Sequence, residues 1–423
     1  THWSGDVAYL ESPNEYHSVI YMPTRNVSVT ANYADLQPDM VMNAYNTMGS
    51  QRMKHFYFYS PSDLNKTKGV VWFFHGTHGN ALNMISDPDT RQMINLLMVN
   101  QYAVVALTSE ESEYDIDFNN DGVYRWSYGL DSTLVDFANV RAIRDTLINR
   151  QLLRTNLPHA AIGWSAGGAF TEFIANVLGW KAAINHTSAG SDTLSRDAKV
   201  IVPYLVSINE NDNNPGVGPV GNAMARINVQ NYLNRGACAV LHEQLEAPLF
   251  PQRFDRSELI SEALSIEIFN EIKKNNGLDS NNYLTNHPNQ LVAVVAANPQ
   301  KFPVIIGLTN AQRDAVLKQL EVTYADHSLK ADINAMTLNL IEQGCGIINS
   351  NRDHYQHSTQ SIWPNPASSV IHLPNAAAFW ELVDFSGRTL SKGSGSEINV
   401  TELASGIYFI KVKNEIFRAV VLQ

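Results

Sequence analysis

The chain has few features of a membrane protein, a nucleic-acid-binding protein or a disulfide-rich scaffold. Its 423 residues include two cysteines, and 30 Lys and Arg stand against 41 Asp and Glu, for a formal net charge of −11. No apolar run approaches the roughly 18 residues of a membrane-spanning helix. No basic stripe offers a footprint for nucleic acid. The hydrophobic share of 44% suffices for a sizeable core, and the length allows about two to four domains.

One short motif carries most of the chemical information. Residues 163–167 read Gly-Trp-Ser-Ala-Gly, with apolar residues before them and a helix-like run after them. A G-x-S-x-G pattern between a strand and a helix predicts a nucleophile elbow, a strained turn that projects the Ser165 hydroxyl above the sheet edge. A chance match in a Gly/Ser-rich turn is the alternative, and the strand–helix context disfavours it.

A nucleophilic serine needs an acid and a base that follow it in the order Ser, acid, His. The apolar run 200–208 predicts a strand, and the polar loop behind it contains Asp212, which we interpret as the acid, with Glu210 as the reserve. An acid just past the carboxyl end of a strand is where this member of the triad belongs.

The base is expected at His327. Residues 320–329 predict a short strand that ends at this histidine, and a helical run to residue 342 follows. His186 also follows a strand, but it precedes the acid, so we interpret it as structural.

The oxyanion of an acyl-transfer reaction needs two N–H donors. We expect one from the backbone of Ala166, directly after the nucleophile. The other should come from the loop 75–79, which follows the apolar strand 70–74. Thr77 or His78 supplies this donor, and we favour Thr77; His78 would then line the site.

With these residues in place, the chain from about 40 to 350 resembles secreted α/β-hydrolases of the group that holds polyhydroxybutyrate depolymerases, feruloyl and acetylxylan esterases and lipase-like enzymes. The resemblance implies an α/β fold with a mostly parallel, doubly wound sheet, Ser-His-Asp chemistry on carboxylic esters, and no cofactor. The resemblance is specific for the fold and for serine hydrolysis, but it does not identify the substrate, since one fold serves many acyl groups.

The C-terminal part has a different pattern. Residues 361–423 alternate apolar and polar residues between turn signals, which predicts an all-β sandwich behind a linker at 351–360. A Pro-Asn-Pro opening, an Asp-x-x-Gly-Arg turn and a Leu-x-x-Gly-Ile-Tyr strand resemble the C-terminal sorting domain of the type IX secretion system of Bacteroidota. The resemblance implies an exported or surface-attached protein; a sugar-binding sandwich is the alternative.

Residues 1–36 resemble the second half of a divergent internalin-type bacterial β-repeat. We expect this half-repeat either to pack on the hydrolase or to be completed upstream. The hydrolase domain then spans 37–350, with a helical insertion at about 239–320 that forms an acyl-binding wall, a lid or a peripheral decoration. Cys238 and Cys345 would form one disulfide in an exported protein; two separate buried thiols are the alternative.

Two local features bear on ligands. Asp117, Asn119 and Asp121 have the spacing of positions 1, 3 and 5 of a calcium loop, but Tyr128 at position 12 cannot supply the usual carboxylate, so we favour a solvated acidic loop. We expect the aromatic side chains of Trp126 and of Trp164, beside the nucleophile, to line the substrate site; packing in the core is the alternative.

The sequence therefore predicts an exported serine esterase, with a polyester or a plant-cell-wall ester as the expected substrate because a surface protein meets polymers. Two other classes remain open. One is a serine peptidase of the same fold, and the other is a surface adhesin with an inactive hydrolase domain.

Overall fold

The computed structural model describes residues 2–10, 20, 25–32, 38–199, 201–345, 367–384, 388–404, 406–412 and 415–421. The chain divides into two compact units, Thr1–Cys345 and Gly346–Gln423. In the first unit, strands β1 (His2–Gly5) and β2 (Val29–Asn32) form a separate antiparallel pair. Residues 11–19, 21–24 and 33–36 of the predicted half-repeat lie outside the described residues.

The first unit is organised around a sheet of eight strands. They are β3 (Met40–Met48), β4 (Met53–Pro61), β5 (Gly69–Phe74), β6 (Tyr102–Leu107), β7 (His159–Trp164), β8 (Ala182–His186), β9 (Tyr204–Asn209) and β10 (Ala239–Gln244). Their spatial order is β10-β9-β8-β7-β5-β6-β4-β3. Strands β3 and β4 run antiparallel to their neighbours, and the other strands are parallel.

Strands β5 to β9 are almost entirely buried, as parallel strands covered on both faces should be. The helices that accompany them are α1 (Ala81–Ser86), α2 (Pro88–Val99), α3 (Glu110–Tyr114), α4 (Val135–Asn149), α5 (Ala166–Leu178), α6 (Asp192–Asp197) and α7 (Gly218–Asn234). Apolar residues of α4, α5 and α7 share one core with the strands. This mostly parallel sheet with its helices has the architecture of an α/β-hydrolase, and the predicted fold class is confirmed.

Four further helices, α8 (Glu262–Lys274), α9 (Pro288–Ala297), α10 (Pro303–Gly307) and α11 (Asn310–Tyr324), build a helical insertion with its own apolar core. The start of the insertion predicted at about 239 is wrong, because residues 239–244 form β10, the parallel edge strand beside β9. The predicted strand before His327 is also wrong, because those residues belong to the end of α11. A capping box at Thr309 and Gln312 starts that helix, and its buried residues Ala315, Val316 and Leu320 belong to the core of the insertion.

Helix α12 (Asn334–Gln343) closes the first unit and contacts β8 and β9. Behind it, Cys238 and Cys345 form a disulfide with their Cα atoms 5.4 Å apart. Among the described residues, no helix is both long and apolar enough to cross a membrane.

The second unit contains β11 (Val370–Asp384), β12 (Thr389–Asn399), β13 (Gly406–Val412) and β14 (Glu415–Val421). The described residues place them in one antiparallel sheet of order β12-β11-β13-β14, with a small apolar core of its own. The predicted linker at 351–360 and the Pro-Asn-Pro opening lie outside the described residues.

Candidate active site

Ser165 occupies the turn between β7 and α5. Its φ of 56° and ψ of −120° are a backbone conformation that a residue with a Cβ adopts only under constraint. The constraint is close packing: a Cβ at Gly163 would lie 2.2 Å from the carbonyl oxygen of Gly167, and a Cβ at Gly167 would lie 2.0 Å from that of Phe74. The glycines of the motif therefore permit the strained turn at the carboxyl end of β7.

The backbone around Ser165 fixes which N–H groups are free. The Ser165 N–H donates to the carbonyl oxygen of His186 at 2.8 Å. The next N–H, that of Ala166, is the first of helix α5 and has no acceptor among the described residues. A free N–H at the positive end of a helix is suited to an anionic oxygen.

The predicted acid and base are brought together. Asp212 lies in the turn that follows β9, and its Oδ2 is 2.7 Å from Nδ1 of His327. The Asp212 side chain is fully buried, whereas 13% of the His327 side chain is exposed. The second oxygen of Asp212 accepts the N–H of Asn214 at 2.9 Å. Glu210, the reserve, instead accepts the N–H of Glu246.

His327 lies in a loop that the core holds from behind. The Asn209 side chain donates to the carbonyl oxygens of Asp326 and Ser328, on either side of His327. Its Oδ1 accepts a bond from Nζ of Lys330, a fully buried lysine whose pKa burial lowers well below the ordinary value. The sequence did not point to Asn209 or Lys330. A buried amide at the end of β9 indicates a supporting role only once the His327 loop is known to lie against it.

The His327 ring lies next to Trp164, the residue before the nucleophile, with ring centroids 5.5 Å apart. No hydrogen bond joins the Ser165 hydroxyl to His327 in the described part of the chain. Such contacts are often long without substrate and shorten when it binds. The structure thus places acid, base and serine at one edge of the sheet in the chain order Ser, Asp, His.

The loop after β5 lies against the elbow. A Cβ built on Gly76 would be 2.9 Å from the Trp164 ring and 3.3 Å from the Ser165 Cβ. The His78 N–H is bonded to the carbonyl oxygen of Tyr124, so it is not available as an oxyanion donor. The Thr77 N–H has no acceptor among the described residues. His78 itself is exposed, with its ring edge against Tyr124.

His75 stabilises this loop. Burial lowers the pKa of His75 to about 4, so the ring is neutral. Its Nε2 accepts the N–H of Ser109 at 3.0 Å, which leaves the proton on Nδ1. That N–H donates to the Gly76 carbonyl oxygen at 2.6 Å.

Trp126 is not available to a substrate, and its predicted place in the substrate wall is wrong. The side chain is 2% exposed and stacks on Phe170 at a centroid distance of 4.8 Å. Its indole N–H donates to the carbonyl oxygen of His75 at 2.8 Å. Trp126 therefore supports the loop after β5 from below.

Trp164 lies at the site, where the insertion covers it. It is half-buried, and Nζ of Lys318 in α11 lies 4.8 Å from the centroid of its ring. A lysine at this distance over an indole face is held by a cation–π attraction. Trp164 thus contacts both the predicted base and the insertion.

Buried charges bond the insertion to the core. Arg256 lies 2.9 Å from Asp89 of α2 and 2.9 Å from Asp332, which precedes α12. Asp89 also accepts the N–H of Ala331 and a bond from the Gln319 side chain. Burial alone would raise the pKa of Asp332, but Arg253 and Arg256 lower it below the ordinary range.

The acidic loop before Trp126 satisfies its own side chains. Asp117 accepts the N–H groups of Gly122 and Asp121, and Asn119 accepts that of Asp121 as well. Asp121 pairs with Arg125. Among the described residues, no group of three or more His, Cys, Asp or Glu side chains is arranged to hold a metal ion.

Comparison with family models identifies the C-terminal part of the chain. Residues 361–420 match the family model of the secretion system C-terminal sorting domain. This domain marks proteins exported by type IX secretion, so the protein is secreted or attached to the cell surface. No curated protein sequence matches the chain.

The solved structures similar to the chain include α/β-hydrolases. A dienelactone hydrolase from Anabaena variabilis shares 17% identity at a TM-score of 0.36, covering 49% of this chain and 88% of that one. A ferulic acid esterase shares 8% at 0.36, covering 49% and 90%. The poly(aspartic acid) hydrolase-1 of a Sphingomonas species shares 14% at 0.35, covering 49% and 92%. At such identities and TM-scores the likeness leaves the activity open.

Proposed function

We propose that the protein is an exported serine hydrolase that cleaves carboxylic esters through an acyl-enzyme. The observation that carries the proposal is the Asp212–His327 pair, joined at 2.7 Å, at the sheet edge where Ser165 is held in a strained turn. A serine hydroxyl becomes a useful nucleophile only when an oriented base removes its proton. The buried acid and the partly exposed base provide that orientation.

The contacts assign the roles. Because Nδ1 of His327 is bonded to Asp212, Nε2 is the nitrogen left to take the Ser165 proton and return it to the leaving alcohol. Asp212 holds the tautomer and stabilises the imidazolium. The N–H groups of Ala166 and Thr77 would bind the oxyanion. A water molecule, activated by His327 in the same way, would then hydrolyse the acyl-enzyme and release the carboxylic acid product.

The location of the protein and the residues near Ser165 support a proposal for the substrate class. A protein with a sorting domain works outside the cell, where esters occur in polymers such as polyesters and plant cell walls. Trp164, the residue before Ser165, contacts His327 and lies next to Lys318 of the insertion, and His78 is exposed in the loop after β5. We therefore propose a polymeric ester as the physiological substrate.

The proposal is tested by turnover of p-nitrophenyl butyrate by the full chain. We expect hydrolysis by the wild type and none above background by Ser165→Ala. Ser62→Ala, at an exposed serine just after β4 and at the sheet edge opposite the Ser165 turn, should match the wild type. Undiminished turnover by Ser165→Ala would overturn the nucleophile assignment.

Two outcomes would favour the other classes. A wild type that cleaves peptide amides in preference to all esters would be a peptidase of the same fold. A correctly folded wild type that turns over no ester and no amide would be a binding protein.

A further inference from the structure

The insertion reaches the histidine loop through His287. This residue caps helix α9, where its Nδ1 accepts the N–H of Asn289 at 3.2 Å. Its Nε2 lies 2.9 Å from Oδ2 of Asp326, the residue before the predicted base. Its ring packs at a steep angle against that of Tyr324, at a centroid distance of 5.3 Å.

These contacts determine which ring nitrogen of His287 carries the proton. Because Nδ1 accepts a backbone N–H, the ring proton is on Nε2 and is donated to Asp326. The other oxygen of Asp326 accepts the N–H of His327 at 2.7 Å. One carboxylate therefore connects the insertion to the backbone of the base.

We propose that His287 is a positioning residue for the triad: it fixes Asp326, which fixes the backbone of His327 and with it the direction of the ring. The inference rests on the proposed function. It makes the insertion a part of the catalytic apparatus, whichever ester is bound.

The loop needs such a contact for a physical reason. Helix α11 ends at Tyr324 and is capped by Ala325, whose φ is 58°, and His327 then follows without regular structure. Asp212 holds the ring at one nitrogen, and a ring held at one point can still pivot with its backbone. The Asp326 side chain removes that freedom only while a second partner, His287, holds it.

His287 is not the main anchor of the loop. Asn209 bonds the carbonyl oxygens of Asp326 and Ser328 from the buried side, and the Asn211 N–H bonds that of Ala325. Loss of His287 should therefore leave the loop in place but relax the alignment of the ring. An error of about 1 Å in such an alignment can cost about 100-fold in rate.

Two variants separate the two bonds of His287. His287→Asn keeps a good helix cap but is too short to reach Asp326. His287→Gln can still donate to Asp326 but is a poor cap. We expect His287→Asn to lower kcat about 10- to 100-fold, with KM and Tm near the wild type. His287→Gln should lower Tm while keeping kcat within about threefold.

The measurement is kcat, KM and Tm of the full chain with p-nitrophenyl butyrate. A wild-type kcat in His287→Asn, or equal losses of kcat in both variants, would overturn the positioning role. A wild type with no turnover would refute the proposed function instead, and the two failures are therefore distinguishable.

Discussion

The contact between the insertion and the core depends on Asp89. This carboxylate is fully buried and accepts bonds from Arg256, from the Ala331 N–H and from the Gln319 side chain. Gln319 lies in α11 of the insertion and Arg256 in the short turn that leads into α8, whereas Asp89 lies in α2. Asp89→Asn keeps the size of the side chain and removes the charge, so Arg256 retains Asp332 as its one anionic partner at this contact.

Removing one partner of a buried ion pair costs about 3–5 kcal/mol, because the remaining charge is left uncompensated. Arg256 is 23% exposed and keeps Asp332, so we expect the lower end, about 3 kcal/mol. If this cost falls on the docking of the insertion, its opening becomes about 100-fold more frequent.

Hydrogen exchange measures this change locally, whereas a global unfolding curve would combine the two compact units. We expect peptides from α8 and α11 to exchange about 100-fold faster in Asp89→Asn, with little change in the sheet. The matched control is Glu243→Gln, which breaks an exposed pair with Arg226 and should cost less than about 1 kcal/mol.

Two results would contradict a role for Asp89 in holding the insertion. Exchange in α8 and α11 that stays within about threefold of the wild type would mean that the buried charges do not hold the insertion. An equal increase in the Glu243→Gln control would mean that the effect is not specific to burial.

Three further predictions test other parts of the molecule. Asp212→Asn should lower kcat for p-nitrophenyl butyrate by about four orders of magnitude, as a triad amide favours the wrong tautomer of His327; a loss below tenfold would contradict its role. Gly167→Ala places a Cβ 2.0 Å from the Phe74 carbonyl oxygen, so we expect insoluble or inactive protein, and a soluble variant with full turnover would refute the close packing. Burial lowers the pKa of His186 to about 3. Below pH about 6.5 the unfolded chain therefore protonates this histidine, whereas the native state keeps it neutral. The difference lowers the free energy of unfolding by about 2 kcal/mol at pH 5. His186→Met should remove that loss; an unchanged pH dependence of urea unfolding would argue against it.

Local constraints explain what the sequence predicted well. The elbow is specified by neighbouring glycines and by the strand and helix around them, all within about a dozen residues. The place of Asp212 follows from the succession of strands, since each loop at the carboxyl end of a parallel strand reaches the same edge of the sheet. His327 instead follows helix α11, so the strand from which it was predicted does not exist. The positions of Ser165 and Asp212 at this edge could therefore be expected from the sequence, whereas their role in catalysis stays a prediction.

Tertiary packing explains what the sequence predicted poorly. Val322 and Tyr324 favour a strand by type, but the cap at Thr309 and the core of the insertion make their segment a helix. Residues 239–244 form an edge strand that only its neighbour β9 identifies. An aromatic side chain such as Trp126 fits a substrate wall or a core equally well by composition, and only its burial decides.

The central claim is that Ser165 is an activated nucleophile. The most direct measurement is mass spectrometry of the full chain after reaction with a fluorophosphonate, followed by peptide mapping of the adduct. We expect one phosphonyl group per chain, on Ser165, and none in Ser165→Ala or after active-site titration with an ester that leaves a stable acyl group. An unlabelled wild type, or an adduct on another residue that persists in Ser165→Ala, would contradict it.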